Sequence, residues 1–210
     1  MLTYNINLNF TSPYIAQPYW PEMYEVIEIT KKSGFNRAKS EANRRKSLEE
    51  YLRSQNMTLA DFERLEALSK RPFHTRPDGK IIIPSDKFMA FLVNANAEAR
   101  AAFKACPPEQ VWSRIVATDL NTGKSEPDGV WKRFVTVSLG TGAKASNQRG
   151  LRENAYIEDF TAIGSVSFDE QTVDAKTLGN LIEWAGQFVG IGSSRKMGKG
   201  RFKLTRYELV

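Results

Sequence analysis

The stretch from Leu2 to Phe10 alternates strictly between apolar and polar side chains, and this pattern constrains the fold more than any other feature. One parity is apolar and the other is threonine and asparagine: Leu2, Tyr4, Ile6, Leu8 and Phe10 against Thr3, Asn5, Asn7 and Asn9. Successive side chains of a strand point to opposite faces, so the pattern predicts a strand with one buried face. The rest of the chain has to supply the elements that bury this face.

Two later segments carry apolar residues at helical spacing and predict two long core helices. The first covers residues 85–105, with Ser85 as its N-cap, and the second covers residues 174–188. Residues 140–154 are predicted to form a flexible loop. Further strands are predicted over residues 110–119, 130–139, 156–168 and 201–209. This order, βαββαβ, is typical of a ferredoxin-like core in the α+β class, the skeleton that RNA-recognition (RRM-like) domains also use.

The segment between the first strand and the first core helix predicts an insertion. Residues 24–29 favour a short strand, and helices are predicted over residues 40–55 and 58–69. We therefore interpret residues 1–210 as a single domain with extended loops, in which residues 33–79 form a helical insertion after the first strand.

The residue inventory excludes several kinds of site. Cys106 is the only cysteine and His74 the only histidine, which excludes intrachain disulfides, cysteine zinc clusters and two-histidine metal sites. No apolar run approaches the roughly 20 residues that span a bilayer, and the chain opens without a signal-like segment. We expect a cytoplasmic protein with no membrane partner, no cofactor and no bound metal.

Basic residues exceed acidic residues by 30 to 24, which gives a net charge of +6. Two windows hold 13 of the 30 cations: residues 31–46 carry seven against one acid, and residues 195–206 carry six and no acid. Such an excess points weakly to a polyanionic partner, because many basic proteins bind none. The second window is interleaved with glycines, which distinguishes it from an ordinary solvated basic face.

The glycine-rich segment of residues 190–201 follows the second core helix and precedes the last strand. Its four glycines have the spacing GxGxxxxxGxG, which permits positive φ angles and close approach of a phosphate to the backbone. Exposed N–H groups of such a loop bind anions, and flanking Arg and Lys add charge-assisted contacts. It is neither a P-loop nor a dinucleotide fingerprint, since both of those run from a strand into a helix.

Three segments together resemble one family. The loop Gly190-Ile191-Gly192-Ser193-Ser194-Arg195-Lys196-Met197-Gly198-Lys199-Gly200-Arg201-Phe202 resembles the glycine-rich loop of the RAMP superfamily of CRISPR-associated proteins. Residues 81–92 resemble the IPGSSLKGALR entry into the first helix of that superfamily's crRNA-backbone subunits, without the usual glycine after Pro84. Residues 11–13 resemble the GTSPL start of relatives, which include stand-alone versions carried by phages.

The resemblance implies a subunit that assembles head-to-tail along single-stranded RNA, grips the sugar-phosphate backbone and interrupts base pairing with a thumb-like loop. Its implied partners are crRNA or single-stranded DNA, copies of itself in a helical filament, and other CRISPR effector subunits. Three aromatic residues are candidates either for stacking on bases or for packing: Tyr14, Tyr19 and Trp20. The expected nucleic-acid-binding residues are Gly190, Gly192, Ser193, Ser194, Arg195, Lys196, Gly198, Lys199, Gly200 and Arg201 in the loop, with Arg37, Arg44, Arg45, Lys46, Lys144, Arg149 and Arg152 elsewhere.

Three alternatives stay open at this stage, and no catalytic residue is assigned. Endoribonucleases of the superfamily share the glycine loop, and His74 between Arg71 and Arg76 is the candidate acid–base group of such an enzyme. Some backbone subunits cleave the target with a metal and a loop aspartate, and the eligible residues are Asp61, Asp119 and Asp128. A phage-encoded mimic that inhibits a CRISPR complex would keep the fold without holding RNA.

Overall fold

The computed structural model describes residues 1–16, 20–35, 40–100, 107, 109–139 and 146–210, and it describes only the backbone of residues 109–111, 136–139 and 146–149. In chain order the elements are β1 (Leu2–Phe10), β2 (Tyr14–Ile15), α1 (Pro21–Lys32), α2 (Glu41–Ser54), α3 (Leu59–Ser69), β3 (His74–Thr75), β4 (Ile81–Ile83), α4 (Ser85–Ala99), β5 (Val116–Ala117), β6 (Leu120–Asn121), β7 (Gly129–Leu139), β8 (Ser146–Ile157), β9 (Thr161–Phe168), α5 (Ala175–Phe188) and β10 (Phe202–Leu209). Helices and antiparallel sheets confirm the α+β class.

The chain divides into two compact units. One consists of Met1–Gln17 together with Phe73–Val210, and the other of Pro18–Pro72. The first, called here the sheet unit, holds the ten strands of the described residues with α4 and α5, and the second, the helical unit, holds α1, α2 and α3. The interpretation of the whole chain as one domain interrupted at residues 33–79 stays a prediction.

The larger sheet of the sheet unit has the strand order β10-β1-β9-β6-β4-β3, with β5 beside β9. The apolar parity predicted for β1 is the buried one, since Ile6, Leu8 and Phe10 all belong to the main core. Residues of α4 and α5, such as Phe88 and Leu178, fill the same core. Each fully buried Leu, Ile or Phe side chain stabilises the fold by about 1.5–3 kcal/mol.

A βαββαβ order along the chain is formed by β1, α4, β6, β9, α5 and β10, whereas the strand predicted over residues 130–139 is β7, which belongs to the second sheet. The structure replaces the strand predicted over residues 110–119 with a 3₁₀ helix at Glu109–Arg114 and the short strands β5 and β6. Ser85 is the first helical residue of α4, and Pro84 is the N-cap. The ferredoxin-like description stays a prediction, which the adjacency of β1 to both β9 and β10 supports.

The second sheet, β2-β8-β7, was not predicted from the sequence. Strands β7 and β8 pair as a long antiparallel hairpin from Gly129–Tyr156 to Leu139–Ser146. The predicted flexible loop over residues 140–154 is therefore wrong from Ser146 onward. The strand predicted over residues 156–168 is two strands, because the chain breaks at Asp159, whose φ is 50°.

The helical unit forms a small core around Leu48, Leu52 and Phe62. The two helices predicted for it are confirmed as α2 and α3, and Thr58 and Asp61 form a reciprocal capping box at the start of α3. The short strand predicted over residues 24–29 is wrong, because α1 covers these residues.

Candidate nucleic-acid interface

The glycine-rich loop, residues 190–201, is fastened to strand β2 by backbone hydrogen bonds. The N–H of Ser193 donates to the carbonyl of Ile15 at 2.7 Å, and the N–H of Gly200 donates to the carbonyl of Pro13 at 2.9 Å. Because β2 also pairs with β8, these bonds place the loop beside the base of the hairpin. The N–H groups of Ser193 and Gly200 therefore hold the loop in place and are not free to bind a ligand.

All four glycines of the loop have positive φ angles, between 71° and 93°. At Gly200 a Cβ atom would overlap the carbonyl oxygen of Ile191, whereas at Gly198 it would meet no atom within 4 Å. Gly200 thus makes room for the chain's own backbone, while Gly198 leaves open space at the surface. Of these two glycines, Gly198 has the open space that a phosphate would need to come close to the backbone.

The exposed part of the loop is a single 3₁₀ turn, Arg195–Met197, bounded by left-handed residues at Ser194 and Gly198. The turn exposes Lys196 and half-exposes Arg195. The hydroxyl oxygen of Ser194 is buried and has no hydrogen-bond partner among the described residues. A Ser with a φ of 62° is strained, so the loop holds this hydroxyl in place against a backbone cost.

The face of the hairpin next to the loop carries a pair of like charges. Arg133 of β7 lies directly opposite Arg152 of β8, and Trp131 lies opposite Asn154 on the same face. Like charges directly opposite each other destabilise a sheet. In addition, Nε of Arg133 and Nδ2 of Asn154 are buried without a partner among the described residues. This face therefore carries both excess positive charge and unsatisfied donors.

Loop and hairpin meet at the indole of Trp131. The guanidinium of Arg133 lies 5.4 Å from the centre of the Trp131 ring, and Nζ of Lys199 lies 5.8 Å from it. Arg133 also donates to the sulfur of Met197 at 3.8 Å. We call Trp131, Arg133, Arg152 and Lys199 the basic cluster. It combines three cations with an aromatic ring, the composition of a surface that binds single-stranded nucleic acid.

The remaining predicted residues do not all join this cluster. The guanidinium of Arg201 donates to the carbonyl of Gln187 at 2.8 Å and so satisfies the C-terminal end of α5. Arg37 and Lys144 lie outside the described residues, and of Arg149 only the backbone, in β8, is described.

Three further predicted residues, Arg44, Arg45 and Lys46, lie exposed on α2 of the helical unit. Arg45 pairs with Glu49 at 3.0 Å and Lys46 with Glu50 at 4.0 Å. The helical unit as a whole has eleven cations and nine acids. Its charge is thus more balanced than the window of residues 31–46 indicates.

The aromatic residues expected near the N-terminus serve packing where they are described. Tyr14 is buried against Phe10, Phe73 and Phe160, and burial, reinforced by nearby Asp86, holds the pKa of its phenol well above the ordinary value. Trp20 donates its indole N–H to the carbonyl of Arg71. Tyr19 lies outside the described residues.

The side chains considered for catalysis have structural contacts. Asp119 accepts from the N–H of Ser85 at the start of α4, and Asp61 accepts from Thr58. Hydrogen bonds from Lys124 and from the N–H of Glu158 lower the pKa of Asp128. Each of these carboxylates thus stabilises a turn or the N-terminus of a helix.

The two arginines that flank His74 in the sequence belong to different units. His74 lies in β3, opposite Ile82, whereas Arg71 belongs to the helical unit, where it stacks 4.1 Å over Trp20 and pairs with Glu22. Arg76 lies 3.9 Å from Asp78. The flanking arginines thus have partners of their own.

Sequence reasoning missed Trp131 and Arg133. Both lie in residues 130–139, which the sequence predicts to be a strand. They are two residues apart, and this spacing was the available signal that their side chains lie on the same face. Their place beside the loop follows only from the pairing of β7 and β8, which sets Arg133 opposite Arg152.

Within the described part of the chain, no group of three or more His, Cys, Asp or Glu residues is placed to hold a metal ion. In the same residues, no helix has the length and apolar character needed to cross a membrane.

No protein-family model matches the chain, and no curated protein sequence matches it. Among solved structures, the fold is similar to a chain in the cryo-EM structure of the Type III-B Cmr-beta bound to cognate target RNA, with a TM-score of 0.51 and 10% sequence identity. The match covers 100% of this chain and 60% of that chain. At this identity the similarity shows a shared fold.

The packing of the loop predicts different costs for two alanine substitutions. Gly198→Ala should lower the free energy of unfolding by about 1–2 kcal/mol, the cost of a left-handed residue. Gly200→Ala should lower it by about 2–5 kcal/mol, because the new Cβ also overlaps backbone atoms. Urea denaturation followed by circular dichroism measures both. Equal losses in the two variants would contradict the packing described here.

Proposed function

We propose that this chain binds single-stranded RNA through the basic cluster and the glycine-rich loop, as a backbone subunit of a CRISPR-type ribonucleoprotein. The observation that carries the proposal is the Arg133–Arg152 pair. Two arginines at directly opposed strand positions, one with a buried Nε that has no acceptor among the described residues, are unfavourable in the free protein. A phosphate between them would supply the missing negative charge and the missing acceptor.

The electrostatics of the surrounding surface favour an extended polyanion over an isolated phosphate. Lys199 joins the cluster from the loop, and Arg195 and Lys196 follow on the adjacent exposed turn. Such a line of cations matches successive phosphates of a single strand, whose binding releases counterions. The indole of Trp131 offers a face for base stacking, worth about 1–3 kcal/mol per base.

Two further observations support the CRISPR assignment. The glycine loop, the entry to α4 and the segment of residues 11–13 resemble the RAMP superfamily, and the similar fold comes from a structure of the Type III-B Cmr-beta bound to cognate target RNA. The chain spans 60% of the length of that neighbour, so its place in an effector complex is part of the proposal. RNA is proposed over DNA on this similarity.

Assembly along the strand completes the proposal. Subunits that place one element over the neighbour's ligand make heterologous contacts, which propagate into open helices unless the rotation closes. The β7–β8 hairpin has an outward face with exposed apolar side chains, Phe134 opposite Leu151, that a neighbouring copy would cover. With a net charge of +6, free subunits repel one another, so assembly would require the polyanion.

The first test reverses two charges of the loop. Arg195→Glu together with Lys199→Glu should weaken RNA binding and flatten its salt dependence, by about 0.7 in log–log slope for each lost phosphate contact. The matched control is Lys87→Glu with Lys176→Glu, which reverses two exposed lysines on α4 and α5. Fluorescence anisotropy across a salt series gives the slopes. If both double variants have the same slope, the loop does not contact phosphate.

The second test uses the opposed arginines, for which binding and stability should change in opposite directions. Arg152→Thr should raise the free energy of unfolding by about 0.2–1 kcal/mol at low salt without RNA, since it removes the like-charge pair. The same variant should bind RNA about tenfold more weakly, as expected for a lost charged hydrogen bond. Lys132→Thr, which breaks the ion pair with Glu153, should instead lower stability. A stability loss in Arg152→Thr would show that the pair is structural.

The third test addresses assembly. Light scattering on RNA of increasing length should give a mass that grows in steps with length, because each subunit occupies a fixed stretch of strand. A sample without RNA should stay monomeric under the same conditions. A mass fixed at one or two subunits on every length would refute the filament and leave a simple RNA-binding protein.

A further inference from the structure

A cavity of about 350 Å³ lies at the base of the hairpin, beside the basic cluster. Trp131 and Tyr156 contribute aromatic side chains to its lining, and Lys199 contributes a cation from the glycine-rich loop. Pro13 and Ile15 line it from the segment to which the loop is fastened. The cavity thus lies where β2, the hairpin and the loop meet, and its volume accommodates a nucleobase.

The ring of Tyr156 has a fixed support. Tyr156 lies opposite Gly129 in the hairpin, and a Cβ atom at position 129 would lie 2.8 Å from the phenol oxygen and 3.0 Å from ring carbons. The ring therefore rests on the glycine backbone in a place where any larger residue would displace it. Trp131, two residues further along β7, has the same parity and offers the second aromatic surface.

The lining of the cavity also includes an acidic residue, Glu158. Glu158 lines it, and its backbone N–H donates to Asp128, which fixes the start of the turn that follows β8. Its carboxylate makes no hydrogen bond or ion pair with the described residues. Glu153, by contrast, is paired with Lys132 at 2.7 Å. A carboxylate repels phosphate, so this end of the cavity suits the hydrogen-bond donors of a base.

We propose that the cavity binds one nucleobase of the RNA strand and selects a base with an exocyclic amino group. The base stacks against Tyr156 and Trp131, its amino group donates to Glu158, and the adjoining phosphate lies toward Lys199 and Arg133. Acidic side chains accept from the N4 amino group of cytosine, whereas uracil presents a carbonyl oxygen at the same position. This inference rests on the proposed RNA binding and adds base selectivity to it at one position per subunit.

The test compares cytosine and uracil homopolymers of about 12 nucleotides, a length within the range that single-strand-binding domains cover. In a homopolymer the same base enters the cavity in every register. Fluorescence anisotropy at fixed salt should show about tenfold tighter binding of oligo(C) than of oligo(U) by the unmodified protein. Glu158→Gln should reduce the ratio to about twofold or less, because an amide can accept from cytosine or donate to uracil.

Glu126→Gln is the matched control, since it removes the same charge from an exposed residue in the turn before the hairpin. Its affinity for both oligomers should rise by the same factor, because a negative charge is removed, so the ratio should stay near tenfold. Equal binding of the two oligomers by the unmodified protein would overturn base selection and leave RNA binding intact. A ratio that persists in Glu158→Gln would overturn the role of Glu158. Absence of binding to either oligomer would overturn the proposed function itself.

Discussion

The backbone hydrogen bonds between the glycine-rich loop and β2 are the interaction on which the candidate site depends. Through Ser193–Ile15 and Gly200–Pro13, they join the loop that follows α5 to a strand that also pairs with β8. The loop thereby links β10 of the larger sheet to β2 of the smaller sheet, and Nζ of Lys199 lies 5.8 Å from the centre of the Trp131 ring. Without this junction the loop and the hairpin would be two separate basic surfaces.

The same junction concentrates features that oppose stability. Arg133 lies opposite Arg152, Ser194 adopts a left-handed conformation, and buried donors of Arg133 and Asn154 have no acceptor in the part of the chain that the structure describes. The main core, in which α4 and α5 cover the apolar face of β1, provides the stability that offsets these unfavourable features. A cluster of residues with unfavourable charge, backbone conformation or hydrogen bonding is expected at a functional site. Their convergence distinguishes this surface from the ion-paired basic helix α2.

The periodicity of apolar residues predicted those helices and strands that bury one face in the core. β1, α4, α5 and β10 each carry an apolar face, and this periodicity is visible without a structure. The hairpin strand β8, Ser146–Ile157, has few apolar residues, because backbone pairing with β7 holds it. Of the candidate site, local sequence indicates the glycine-rich loop, whereas the position of Arg133 opposite Arg152 depends on a register that composition does not encode. Helix α1 was misassigned because its β-branched residues favour a strand.

Strand alternation gives the hairpin two chemically distinct faces, with Arg133 and Arg152 on one and Phe134 and Leu151 on the other. Inserting or deleting one residue in either strand would move every side chain beyond that point to the opposite face. Single substitutions leave this division intact, so each face can diversify without disturbing the other. Within the paired stretch, the two faces are therefore kept only when both strands lengthen or shorten together by an even number of residues.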